Sequence, residues 1–107
     1  MFRTTVHGIV FGDRAARVAG LAEGDALVLI PDPPMEEEPA VWVHVGDGTP
    51  IGHLPPEINA WLAPFLYRRG AATAVVAKVG GDDVPSWRRL LVEVRCGGDF
   101  VPFAGDG

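Results

Sequence analysis

The chain holds 107 residues, 48% of them apolar and 21% charged. That excludes two ordinary cores and wholesale disorder, and leaves one packed domain. A net charge of −5 counts against a protein held on nucleic acid by nonspecific charge alone. Cys96 is the only cysteine, so neither an internal disulfide nor a Cys-rich zinc site can form. The apolar runs fall far short of the ~20 residues that span a bilayer. Met1 to Gly8 has no apolar secretory core. The expectation is a soluble, cytoplasmic chain with no membrane partner. Eight Arg against one Lys, among many Ala and Gly, suggests the coding bias of a GC-rich bacterial genome.

In chain order, Val6 to Phe11 is a short apolar run and predicts a buried strand. Asp13 is placed to cap a short helix, Arg14 to Ala19, which Gly20 stops. Ala26 to Ile30 is a second strand, ended by Pro31-Asp32-Pro33-Pro34. The acidic loop Met35 to Pro39 follows. Val41-Trp42-Val43-His44-Val45 alternates with period two, so the valines share one face and Trp42 and His44 the other. Asp47-Gly48 suits the centre of a type I′ turn. That turn pairs Val45 with Pro50, Val43 with Gly52 and Trp42 with His53.

Pro55 to Arg69 is the main helix, with Ile58, Trp61, Leu62, Phe65 and Leu66 on one apolar stripe. Pro64 should kink or split it near residues 60–63. Arg68 and Arg69 suit the helix C-terminus, and Gly70 suits the left-handed cap. Ala71–Val79 and Trp87–Cys96 then read as two strands around the turn Gly80 to Pro85. In the second, Leu90, Val92 and Val94 point inward, and Arg89, Glu93 and Arg95 point to water. The fold class is mostly β. It is a small antiparallel barrel, OB-like or SH3-like, of five or six strands with one main helix. Residues 1–96 form the domain, and 97–107 a loosely held Gly-rich tail.

Three segments together resemble a HIRAN domain. They are Val6-His7-Gly8-Ile9-Val10-Phe11, the stretch from Glu23-Gly24-Asp25 through Asp32-Pro33 to Ala40-Val41-Trp42-Val43, and Ile51-Gly52-His53-Leu54-Pro55-Pro56-Glu57-Ile58 with Ala60-Trp61-Leu62-Ala63. The resemblance covers roughly residues 5–96. It implies a barrel related to OB-folds that binds the free 3′-OH end of single-stranded DNA. It also implies a separately encoded helicase or nuclease as partner, since the family is often fused to such enzymes. The family's loop resembles Arg-x-Pro-x-Asn-Pro-Tyr-Asp-x-Asn-Ala-Ile, whose aromatic stacks on the terminal base and whose Asp holds the 3′-OH. Counted back from Ala40-Val41, Glu37 stands at the Asp position, Glu36 at the aromatic position and Pro39 at the last Asn position. Here the loop is one residue shorter.

The candidate nucleic-acid-binding residues are Asp32, Glu37, Trp42, His53, Arg68, Arg69, Arg88 and Arg89. Trp42 lies opposite His53 on the face away from the valines. Trp87 and Tyr67 are further stacking candidates, against the plainer reading of amphipathic packing. The two Arg pairs suit phosphate, against the plainer reading of a solvated helix end and strand face. Glu36-Glu37-Glu38 reads as a solvated acidic loop rather than a Mg²⁺ or Ca²⁺ site, because adjacent side chains of an extended loop diverge. His7, His44, His53 and Cys96 include no local chelating pair, so no metal is expected, and no cofactor. No phosphate loop and no nucleophile elbow is present, which argues against an enzyme. The net acidity and the departures in the loop support an alternative: a protein-interaction module on the same barrel that has lost the DNA-end site.

Overall fold

The computed structural model describes residues 1–33 and 35–97. Pro34 and residues 98–107 of the expected tail lie outside the described residues. The elements run β1 (Phe2–Thr5), α1 (Arg14–Ala19), β2 (Ala26–Pro31), β3 (Val41–His44), β4 (Pro50–His53), α2 (Pro56–Tyr67), β5 (Ala71–Val79), α3 (Ser86–Arg89) and β6 (Leu90–Gly97). The strands form one antiparallel sheet in the order β1-β6-β5-β2-β3-β4. The sheet curls on itself. Two residues beyond β1, His7 exchanges both backbone hydrogen bonds with His53 of β4, at 2.8 and 2.9 Å. The first segment therefore touches both ends of the strand order and covers edges that would otherwise be open.

The expected strand at Val6–Phe11 is displaced. The paired strand is Phe2–Thr5, and Gly8 turns the chain at φ +78°. Val6 and Ile9 are fully buried, whereas Val10 and Phe11 are exposed. The run is apolar because it plugs the barrel from a turn, while β6 recruits the more polar Phe-Arg-Thr-Thr by backbone pairing. At the other end, Trp87–Arg89 form a helical turn after Pro85, and β6 begins only at Leu90. From there Leu90, Val92 and Val94 are buried, as the alternation predicts. Of the three side chains expected in water, Arg95 is exposed, while Arg89 and Glu93 are half-buried.

The β3–β4 hairpin keeps the predicted pairs Trp42–His53 and Val43–Gly52, but His44, not Val45, faces Pro50. Ile51 is the extra residue, a bulge that turns its side chain into the core. The turn is shifted by one. Gly48 N–H donates to Val45 O and Val45 N–H to Thr49 O, so Gly46 and Asp47 are central and Gly48 takes φ +89°. Asp13 makes no side-chain cap; its backbone carbonyl accepts from Arg17 N–H.

Helix α2 packs across β2, β3 and β5 and runs unbroken through Pro64. Its buried face is Asn59, Leu62, Ala63 and Phe65. Trp61 lies at the margin of this face, edge-on to Phe2 at 5.5 Å. Arg69, rather than Gly70, takes the left-handed conformation, at φ +70°. Gly70 is needed for space instead: a Cβ there would sit 2.5 Å from the Phe65 ring. No described helix is long and apolar enough to cross a membrane.

Candidate functional site

The side chains of β3 and β4 that point out of the barrel build the site. Val41 and Val43 are fully buried, so Trp42 between them faces outward. Its ring meets His53 of β4 edge to face, with centroids 5.4 Å apart. Trp42 Nε1–H donates to Asp32 Oδ1 at 2.8 Å, and Ala40 N–H donates to Asp32 Oδ2 at 2.9 Å. Asp32 N–H returns a bond to Ala40 O at 2.8 Å. Asp32 thus fixes the indole and closes the acidic loop at its base. Both of its carboxylate oxygens are committed to these bonds, which makes it a positioning residue.

Asn59 does the same from the helix side. It is a buried polar residue on the core face of α2. Its Oδ1 accepts from Val41 N–H at 3.0 Å, and its Nδ2 donates to Leu54 O at 2.9 Å. One side chain joins the start of β3 to the chain entering α2. Sequence reasoning missed it. The signal was an amide one residue after Ile58, at a position where a helix lying on a sheet would bury it.

Between the acidic loop and the first half of α2 opens a groove of about 620 Å³. Glu37 and Glu38 stand on one side, Pro56, Asn59 and Ala60 on the other, with Trp42 and His53 also lining it. Glu36 does not line it, so the ring available to a ligand comes from β3 and not from the loop. Desolvation of its phenol, and then the charges of Asp32 and Glu36, push Tyr67 above its ordinary pKa. Tyr67 stands in the last turn of α2. Arg68 and Arg69 are exposed at that end and do not line the groove.

Two more residues missed in the sequence flank Trp42. The Arg14 guanidinium sits 5.6 Å from the Trp42 ring and 5.7 Å from the Phe11 ring, and Arg14 Nη1–H donates to Gly8 O at 3.0 Å. Phe11 is 64% exposed. Aromatic, cation and aromatic thus form one surface beside the groove. The His7 ring lies 6.1 Å from that of His53. Arg88 and Arg89 are not brought to this groove; they line a separate cavity of about 320 Å³ with Thr5, Lys78, Gly80, Val84 and Leu91. Trp87 is exposed on α3. Cys96 is an exposed residue, yet partial burial of its sulfur pushes the thiol up, which disfavours the reactive thiolate. Among the described residues, no three His, Cys, Asp or Glu side chains converge as metal ligands would.

A curled six-stranded antiparallel sheet with a helix across it is an OB-like barrel. The crystal structure of the HIRAN domain of human HLTF has this fold: it matches with a TM-score of 0.61 over 92% of this chain and 76% of that one, at 19% identity. The chain therefore has a HIRAN-like fold. No protein-family model matches the sequence, and no curated protein matches it.

Proposed function

We propose that this barrel is a non-catalytic module that binds the 3′-OH end of single-stranded DNA in the groove beside Glu37. The observation that carries this reading is the open groove itself. It lies at the loop where the family resemblance puts the DNA end, and the Trp42 and His53 rings line it. Its volume is within the roughly 300–1,000 Å³ range of small-ligand sites. The terminal base stacks on Trp42, and the 3′-hydroxyl donates to the Glu37 carboxylate.

The acidity of the loop fits this role. A terminal hydroxyl is neutral and donates a hydrogen bond, whereas a terminal phosphate beside Glu37 and Glu38 meets two like charges. The loop thus selects for an end that lacks phosphate. Arg14, 5.6 Å from the Trp42 ring, offsets the repulsion of the next phosphate. In this reading the module delivers DNA ends to a separately encoded helicase or nuclease.

Fluorescence anisotropy with short strands ending in 3′-OH or 3′-phosphate, at low and moderate salt, tests it. The 3′-OH strand should bind more tightly, and Glu37→Gln should shrink the preference. Trp42→Ala should weaken binding by roughly 1–3 kcal/mol, the worth of one stacked base, or about one to two decades. Equal, undetectable binding of both strands at high micromolar protein would overturn the reading and favour a protein-interaction module.

A further inference from the structure

From the strand pairing we infer that Lys78, Arg88 and Arg89 form a backbone-phosphate site at the far end of one continuous track whose other end is the Trp42 groove. The inference rests on the reading of that groove as the seat of a 3′ end, and it assigns the path and polarity of the rest of the strand. Val6 is fully buried, so its neighbours Thr5 and His7 both point out of the barrel. Thr5 lies opposite Leu91 of β6, and Leu91 lies opposite Lys78 of β5. His7 lies opposite His53, and His53 opposite Trp42. The outer wall therefore carries an unbroken row from Trp42 through His53, His7, Thr5 and Leu91 to Lys78. At ~4.8 Å between strands and ~3.3 Å per residue along them, the row is roughly 25 Å long. That suits the short end of the 4–16 nucleotides, roughly, that an OB-fold covers.

Charge changes sign along the row. At the groove stand Glu37 and Glu38. At the far end three cations line a cavity of about 320 Å³ whose lining includes no carboxylate. Neither Lys78 nor Arg88 has an ion-pair partner among the described residues. Glu93, on the same outer face of β6, is engaged by Arg3 at 3.8 Å and Arg95 at 3.3 Å. Asp82 and Asp83 sit on the exposed loop before Val84 and do not line the cavity. Arg89 is itself held: its Nε and Nη2 donate to Val84 O at 3.2 and 2.9 Å, and its carbonyl accepts from Gly80 N–H at 2.7 Å. These bonds brace the loop from Gly80 to Val84 against α3, the element that carries Arg88. A strand that ends in a neutral hydroxyl and carries one charge per nucleotide upstream has the same polarity, neutral at the acidic end and anionic at the basic end.

The test compares wild type with Lys78→Ala/Arg88→Ala, which leaves the bracing Arg89 in place. The probes are oligo(dT) strands of two to ten nucleotides ending in 3′-OH or 3′-phosphate, with inorganic pyrophosphate as a separate probe. In wild type, affinity should rise with length until the strand spans the row. The double variant should bind the dinucleotide unchanged, lose the gain from length and keep the 3′-OH preference. Losing two single-strand phosphate contacts lowers the salt slope by about 1.4, so wild-type affinity should fall about sevenfold further than the variant's between 50 and 200 mM salt. Pyrophosphate should shift the backbone amides of Gly80, Val84 and Arg88 saturably in wild type and not in the variant. An unchanged length series in the variant, or no saturable pyrophosphate shift in wild type, overturns the inference. If strands with either terminus bind equally while the variant still flattens the salt slope, the end-recognition reading fails and the phosphate site stands.

Discussion

Asp32 accepts two hydrogen bonds that no other described side chain supplies, from Trp42 Nε1–H and Ala40 N–H. Charge-assisted bonds of this kind are worth roughly 1.5–3 kcal/mol each, less where solvent shares them. Asp32→Ala should cost about 2 kcal/mol in urea unfolding and abolish the groove's shape, while Asp32→Asn, which keeps one acceptor, should cost less. Asn59→Ala leaves Val41 N–H and Leu54 O unpaired in the core and should cost about 1–3 kcal/mol. A third residue acts through pH. Hydrogen bonds from Arg17 and then from Thr49 hold Asp47 down at about 2, from an ordinary 3.8. A carboxyl lowered by folding stabilises the fold above its unfolded pKa and loses that effect as pH falls through its folded one. The difference in melting temperature between wild type and Asp47→Asn should therefore be full at pH 6, narrow between about pH 4 and pH 2, and vanish below. Both partners are solvent-exposed, so salt should narrow it too. A difference constant from pH 6 to pH 2 would contradict this account.

Among the elements, the junction of the first segment with β4 is the one that closes the barrel. Gly52 lies under it. A Cβ at Gly52 would collide with His7 O and come within 2.6 Å of Val6 Cγ1. Gly52→Ala should thus separate the pair of backbone bonds between His7 and His53 and destabilise the fold at the upper end of the roughly 1–3 kcal/mol typical of overpacking. Amide exchange at His7 and His53 should accelerate more than exchange in β5 and β6. Uniform acceleration across all strands would mean that the junction has no separate role. The β3–β4 hairpin shows how far alternation carries. The period-two pattern sends the valines inward and Trp42 outward, because a one-residue slip would expose the whole apolar face. The pairing of Trp42 with His53, expected from a turn at Asp47-Gly48, holds because the Ile51 bulge offsets the one-residue shift of that turn. The pattern does not reveal the Ile51 bulge, since an extra residue leaves composition unchanged and is fixed by the side chain that the core accepts.

For the molecule as a whole, the distribution of charge matters more than its total. Residues 21–40 contribute −6 of the net −5, leaving +1 on the other 87 residues. The acidity is thus confined to a segment that includes one wall of the groove, and the cavity at Lys78 remains basic. Neutralising the loop as Glu36→Gln/Glu37→Gln/Glu38→Gln should raise affinity for both kinds of strand end at low salt and erase the preference for 3′-OH. Retained preference in that variant would remove the loop from end selection.

Composition and pattern suffice for a single mostly-β domain, for the strands at Ala26, Val41 and Ala71, for the helix after Pro55 and for the outward face of Trp42. Each of these depends on burial of a face, and burial imposes a period that can be read along the chain. The rest depends on residues far apart in sequence. Phe2–Thr5 becomes a strand because β6 pairs with it, and Trp87–Arg89 leave the strand because the chain turns after Pro85. Arg14 meets Trp42, and Phe11 meets Arg14, only because Gly8 turns the chain back over β4. Asp32 reads from the sequence as a nucleic-acid-binding candidate, and only the fold shows Trp42, ten residues on, donating to it. Backbone pairing and side-chain convergence carry no local period, so only the closed barrel decides which of these groups share a surface.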